Sequence, residues 1–405
     1  MTSRERMLAA IEYRGVDHVP CSFMLFFNLY ERCRDDAEFV EKQLELGLDA
    51  CVHVGHLNHS LHLYGAVAPG STWKEWVERE NGDRVFCRRI DTPDGPLTSR
   101  VRQRDGWPTE TDFPLMKDWL VPRFEEVLVK PERDLVKLQH LFGPVKDEDI
   151  RVLREEAQGA SRLAKRHGLL QVGGWKGSIR PGLQVDPGVM GCDAMAWISG
   201  FETVMMLSQT DPDLIREYAE IIHRWNMRQI EVYLAETEAD LIVRRGWYET
   251  TEFWTPPAWR SIIGPTLRHE AELVHQAGRK YGYIITSAFL PLLDDILAAG
   301  VDVLIGLDPE EGKGSSLVAI KDTCRRAHRA LWGGVSGAIT VERGTEEETE
   351  AAVRRAMEVL GSDGGFILSP VDNVREDTEN AWRNTHRLIE TWKELSKSGK
   401  QERRS

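Results

Sequence analysis

Gly282-Tyr283-Ile284-Ile285-Thr286-Ser287 and Val301-Asp302-Val303-Leu304-Ile305-Gly306-Leu307-Asp308 are two short apolar runs with a helical pattern between them. Strand, helix, strand in that order is what parallel strands joined by a crossover helix require. Similar runs lie on either side, at Val19–Leu25, Asp49–Gly55, Leu169–Trp175, Ala239–Trp247, Arg329–Ser336 and Gly365–Pro370. Eight runs predict an α/β chain closed into a (β/α)8 TIM barrel in preference to an open sheet.

The helices between them carry their own start signals. Asp211-Pro212-Asp213 combines a cap, a first-turn proline and an acidic first turn, and Leu214, Tyr218, Ile221, Ile222 and Trp225 follow at helical spacing. Thr255-Pro256-Pro257 opens a second helix running to about Gln276. Thr345 followed by Glu348 is a capping-box pattern, and a last helix begins near Asp377 and frays after Ser396. Between about 71 and 147 the rhythm breaks into extended segments with turns at Asn81-Gly82-Asp83 and Thr92-Pro93-Asp94-Gly95. Val85–Ile90 and Leu97–Val101 are expected to pair as a hairpin in an insertion after the second strand, helping to roof the pocket. Residues 1–396 are thus read as one barrel unit with an insertion, and 397–405 as a flexible tail.

Composition narrows the function classes. The 405 residues carry 52 Lys plus Arg against 65 Asp plus Glu, a formal charge of −13. That balance argues against a nucleic-acid surface, which needs clustered basic residues. No apolar run approaches the roughly 20 residues that span a bilayer, and the N-terminal stretch lacks the apolar core of a signal peptide. The six cysteines are scattered without a Cys-x-x-Cys pair, so reduced thiols and a cytoplasmic location are expected.

In a parallel barrel the active site gathers at the C-terminal strand ends. There the sequence places His53, His56 and His59, then Trp175, Lys176 and Arg180, and then Arg244, Arg245, Trp247 and Tyr248. Thr286, Ser287, Asp308, Ser336, Asp372 and Asn373 follow. Strand neighbours point to opposite sides, so only one of Arg244 and Arg245 can face the axis. An inward guanidinium would hold a carboxylate or phosphate, or else pair with Asp308 or a nearby Glu. Lys176 and Arg180 would add to an anion site. Two of the histidines could share a metal with Asp372, or act as hydrogen-bonded pocket residues, and His56 suits acid–base work near neutrality. Trp175, Trp247 and Trp254 lie near strand ends, and Trp73, Trp76, Trp107 and Trp119 lie in the insertion. Gly173-Gly174 and Gly333-Gly334 lack any nucleotide-binding spacing.

The opening Thr2-Ser3-Arg4-Glu5-Arg6-Met7-Leu8-Ala9-Ala10, with Arg14-Gly15-Val16-Asp17-His18-Val19-Pro20, resembles the start of the uroporphyrinogen decarboxylase superfamily. Gly364-Gly365-Phe366-Ile367-Leu368-Ser369-Pro370 and Glu379-Asn380 resemble its end, and Trp332-Gly333-Gly334-Val335 and Gly300-Val301-Asp302-Val303-Leu304 also fit. The resemblance spans nearly the whole chain and implies a barrel. Its members include porphyrinogen decarboxylases and methyltransferases that demethylate small molecules onto a corrinoid protein. Leu25 and Leu29 stand where the decarboxylases resemble one another in two carboxylate-holding arginines, which turns the reading away from porphyrinogens. His56 stands for the pyrrole-binding aspartate and Asp372 for the late histidine. The methyltransferases' zinc positions correspond to about Ile284, Thr286 and Asp372, so the usual zinc motif is missing.

Methyl transfer or demethylation of a small, anionic, methoxylated aromatic substrate leads among the activities, with a corrinoid protein as acceptor and no resident cofactor named. In this reading His56 and Asp372 are catalytic. Trp175, Lys176, Arg180, Arg244, Arg245, Trp247, Tyr248 and Asn373 bind substrate, and no metal ligands are assigned. A decarboxylase or lyase acting on a non-porphyrin acid is the alternative, and a non-catalytic binder the third class. A homodimer fits any of them; nucleic acid and membrane do not.

Overall fold

The computed structural model describes residues 1–55, 57, 70–103, 124–175, 188–310, 316–371, 374 and 377–402. The strands in chain order are β1 (Cys51–His53), β2 (Thr72–Glu80), β3 (Asp83–Thr92), β4 (Gly95–Arg102), β5 (Phe124–Glu126), β6 (Leu170–Gly173), β7 (Val189–Met190), β8 (Leu241–Arg245), β9 (Lys280–Ile284), β10 (Val303–Leu307), β11 (Ala330–Ser336) and β12 (Phe366–Val371). Seven of them form a parallel, curled sheet in the order β1-β6-β8-β9-β10-β11-β12, with the short β7 paired to β8.

Period-two alternation decides which side chains meet. Leu170, Val172, Leu241, Val243, Ile284, Val303, Ile305, Ala330, Trp332 and Ile367 share one inner cluster. Their strand neighbours Ile242, Tyr281, Tyr283, Leu304, Leu331, Phe366 and Leu368 belong to the cluster that packs under the helices. Met7, Ala10 and Ile11 of the N-terminal helix Ser3–Ile11 join the inner cluster. Arg4 of that helix holds Asp240, one residue before β8, through a two-toothed ion pair with contacts of 2.7 to 3.2 Å.

The first predicted strand requires correction. Val19–Leu25 is reduced to one parallel bridge, Cys21 with Leu368. Pro20 has no N–H to give, and it serves only as acceptor, taking Leu368 N–H at 2.9 Å, while Ser22 N–H donates to Leu368 O at 3.0 Å. Beyond Ser22 a side chain replaces the ladder: Met24 N–H donates to Ser369 Oγ at 2.9 Å. Asp49 N–H in turn donates to Cys21 O at 2.7 Å, so residues 20–22 bridge the entry to β1 and the edge strand β12. Gly333 serves close packing of strands, and Gly334 lies under Ala356 and Leu360 of the helix Glu346–Leu360. A Cβ on Gly333, whose φ is +149°, would sit 2.7 Å from Leu307 N.

The capped helices form where their start signals lie. Asp211 accepts from Leu214 N at the head of helix Pro212–Glu236, Thr255 accepts from Ala258 N at the head of Pro256–Gln276, and Thr345 with Glu348 completes the capping box of Glu346–Leu360. The last helix runs from Glu379 to Glu402, past Ser396. In the segment after β1, β2-β3-β4-β5 is an antiparallel sheet, and Ile90 faces Leu97 across the Thr92–Gly95 turn. Ile90, Leu97, Leu128 and Val129 are buried in the same cluster as the helix layer. Residues 104–123, which include Trp107 and Trp119, lie outside the described residues, as do 397–405 in part. Among the described residues no helix is long and apolar enough to cross a membrane.

Candidate functional site

β8 ends in Arg244-Arg245, and alternation sends the two guanidinium groups to opposite sides. Arg244 is the outward one. Its terminal nitrogens donate to Glu249 Oε1 at 2.7 Å, Glu270 Oε1 at 3.0 Å and Thr266 Oγ1 at 3.0 Å, all beneath helix Pro256–Gln276. Both carboxylates are fully buried. Tyr283 OH donates to Glu249 Oε2 and Tyr281 OH to Glu270 Oε2, each at 2.6 Å. Burial alone would lower the Arg244 pKa, but the charges of Glu249 and Glu270 outweigh it and hold it above the ordinary value. Burial likewise works to raise Glu270, and Arg244 with His223 overrides it and brings the carboxyl to about 2. The guanidinium is consumed inside the wall, so of the two arginines only Arg245 is left for the expected anion-binding role. The internal ion pair is made with glutamates, not with Asp308.

Arg245 shares its strand face with Leu241 and Val243 of the inner cluster. Its guanidinium carbon lies 4.3 Å from the Trp197 ring centroid and 4.8 Å from that of Trp247, within cation–π range of both. Nε is 3.3 Å from Asp193 Oδ2, and among the described residues that is its one carboxylate partner. Asp193 is wholly buried and also accepts backbone N–H groups from Trp247 at 3.2 Å and Tyr248 at 2.9 Å. One carboxylate therefore fixes Arg245, Trp247 and Tyr248 together. Glu249 returns the contact by accepting Cys192 N–H at 2.7 Å. The clasp leaves no spare volume: a Cβ on Gly191 would lie 2.0 Å from Glu249 Oε1 and 2.6 Å from the Arg244 guanidinium. Gly191→Ala should cost about 3 kcal/mol of stability, measured by denaturant unfolding, because neither buried group can move aside.

Trp247 leads on to the rest of the mouth. Its ring centroid is 6.4 Å from that of Trp175, and Trp175 stands edge-on to His53 at 5.7 Å. His53 Nδ1 is 2.8 Å from Trp175 O; a carbonyl only accepts, so Nδ1 carries the proton. His53, Trp175, Trp332, Cys51, Phe23 and Met24 line a slot at the upper end of the inner cluster. Tyr248 directs its ring against Phe201 and Phe253. Ser336 accepts Ile339 N–H and caps the turn that follows β11, and Ser287 donates to Glu252. His56, Lys176, Arg180, Asp372 and Asn373 lie outside the described residues, as does His59.

Sequence reasoning passed over Asp193, Trp197 and Trp332, and named His53 without choosing it. The pairing of Met190 with Arg245 brings Asp193 alongside, through a two-residue strand too short to read from a hydrophobic pattern. A carboxylate in the first turn of a helix directly after that strand was the available signal.

At two of the positions that the sequence resemblance matches to zinc ligands stand Ile284, buried and apolar, and Thr286. Isoleucine has no lone pair to offer, so the described part of the donor set does not fit zinc. Among the described residues no group of three or more His, Cys, Asp or Glu is placed to hold a metal ion.

The architecture is an α/β fold with a parallel, curled sheet of the TIM-barrel type. Within that class the chain is similar to a methyltransferase from Methanosarcina mazei, at 18% identity over 98% of this chain and 99% of that one, with a TM-score of 0.58. At that identity the likeness shows a shared fold and nothing finer. A B12-independent methionine synthase from Shewanella sp. W3-18-1 matches at 9% identity over 94% of this chain and 98% of that one, TM-score 0.43. A 3-keto-D-glucoside 4-epimerase from E. coli matches at 14% over 65% and 94%, TM-score 0.35. Both scores are too low to argue from. No family model and no curated protein matches the sequence.

Proposed function

We propose that this chain is a methyl-transfer enzyme of the uroporphyrinogen decarboxylase-like kind, which takes a methyl group from a small organic anion and passes it to a corrinoid protein docked over the strand ends. The observation that carries the reading is Arg245, an inward cation 4.3 and 4.8 Å from the Trp197 and Trp247 ring centroids, with Trp247 neighbouring Trp175 of the apolar slot. The end-to-end likeness of fold to a methyltransferase supports it. Arg245 holds the anion through its terminal amines. Trp175 and Trp247 pack the apolar body, with Lys176, Arg180 and Asn373 as further polar contacts. In a methyl ether the carbon–oxygen bond breaks, its electron pair stays on oxygen, and the methyl carbon bonds to the acceptor nucleophile. The departing oxygen is a strong base unless it takes a proton, and His56 or Asp372 supplies one.

The test is turnover of methoxylated benzoates by the full chain, with and without a reduced corrinoid protein. Demethylated product formed only with the corrinoid protein is expected. Carbon dioxide released without it would replace the reading by a decarboxylase, and binding without turnover by a non-catalytic binder. His56→Gln should lower turnover at least tenfold while leaving substrate affinity within a factor of about two. A rise in KM alone would make His56 a binding residue.

A further inference from the structure

We propose that Asp193 is the specificity-determining residue of this pocket: as the built-in counter-ion of Arg245 it makes the site take up an organic monoanion together with a proton, and disfavours dianions such as phosphate esters. The inference rests on the anion reading of Arg245 and deepens it.

The geometry leaves little freedom. The Trp197 and Trp247 rings crowd the Arg245 guanidinium at 4.3 and 4.8 Å, and its Nε lies 3.3 Å from Asp193 Oδ2. The terminal amines remain as the edge a ligand can meet, and the side chain keeps 9% of its exposure. Before a ligand arrives the pair is already neutral. A second carboxylate placed on the same cation leaves two anions sharing one positive charge in a buried site, which is costly unless one of them is protonated. A dianion would worsen the imbalance by a further charge.

Asp193 is the anion able to yield. It faces Arg245 on β8, Glu249 on the turn beyond, Tyr283 on β9 and Cys192 beside it. Burial raises its pKa most, Arg245 opposes, and Glu249 adds to the rise, leaving it at about 6. A bound carboxylate pushes it higher still. Between the free and bound values the complex holds a proton that the free protein lacks, so affinity must rise as pH falls. The two backbone N–H groups on Asp193 tether it in either state, which keeps Trp247 and Tyr248 in place while the charge changes.

The experiment is calorimetric titration of the full chain with 4-methoxybenzoate from pH 6 to 8, in buffers of different ionisation enthalpy, with phenyl phosphate as the dianionic comparison. The probe's carboxylate is ionised throughout that range. Uptake approaching one proton near pH 7.5 is expected, with Kd rising toward tenfold per pH unit above about pH 6.5, and phenyl phosphate at least tenfold weaker. Asp193→Asn keeps an oxygen acceptor but cannot ionise; it should flatten the profile and bind the probe at least tenfold more tightly than wild type at pH 8. His53→Gln should keep the slope, which separates Asp193 from the pocket histidine even if the Asn variant does not fold. Binding without proton uptake, a slope that survives in Asp193→Asn, a slope lost in His53→Gln, or no binding of the carboxylate would each overturn the proposal. Proton-linked binding without any methyl transfer would leave it standing while removing the proposed activity.

Discussion

Arg244→Ala should lower the unfolding free energy by about 3–5 kcal/mol, the range for breaking a buried ion pair on one side only. The substitution strands Glu249 and Glu270, both fully buried, without the cation that each faces at 3.0 Å or less. It also takes away the donor that Thr266 Oγ1 accepts from, and leaves the Tyr281 and Tyr283 hydroxyls bonded to carboxylates whose charge is no longer balanced. The sign of the pH dependence follows. In the native chain Glu270, at about 2, lies below the ordinary value of 4.5, so its contribution is present above that value and lost as pH falls through about 2. Without Arg244 the Glu270 carboxyl shifts upward, and the deficit is full at neutral pH and shrinks toward pH 5 as it protonates. Denaturant titrations at pH 5 and pH 7.5 measure it. Changing Arg244 to Met together with Glu249→Gln and Glu270→Gln should recover most of the loss, since no buried charge is then left unpaired. A deficit under about 1 kcal/mol in the single variant would mean that the network carries no weight.

Arg245→Gln, one residue on, is expected to behave oppositely. The fold should survive, because Asp193 keeps its two backbone donors and its raised pKa lets it protonate when the cation is gone. Affinity for a carboxylate probe should fall by about 2–3 kcal/mol, or roughly 30- to 150-fold, the loss expected for hydrogen bonds between charged partners. Calorimetry on the probe and a thermal melt on the free protein together separate the two effects. Unchanged affinity would place the anion elsewhere, and a collapse of the fold would make Arg245 a wall residue like its neighbour. The contrast between adjacent arginines is itself the sharper result: one is expected to govern stability and the other binding.

Much of the curled sheet could be read along the chain. Seven of the eight expected strands are present because their apolar runs are continuous and bounded by capped helices, and those signals are local. Val19–Leu25 failed because Pro20, visible in the sequence, has no N–H to donate and the apolar pattern outweighed that signal, and because Ser369, far along the chain, takes Met24 N–H with its side chain. The site was legible by residue type but not by direction. Trp175, Arg245 and Trp247 do come together around β6 and β8, while Tyr248 turns to Phe201 and Phe253.

The sequence by itself determined the order of elements and the rule that only one arginine of the pair could face inward, since both follow from periodicity and from the geometry of a strand. Which arginine that is, and what it meets, was decided by tertiary structure. Asp193 stands 52 positions before Arg245, and Glu270 stands 26 after Arg244. Such partners are chosen by strand pairing and helix packing, because a charge leaving water accepts whichever counter-charge the fold carries to it.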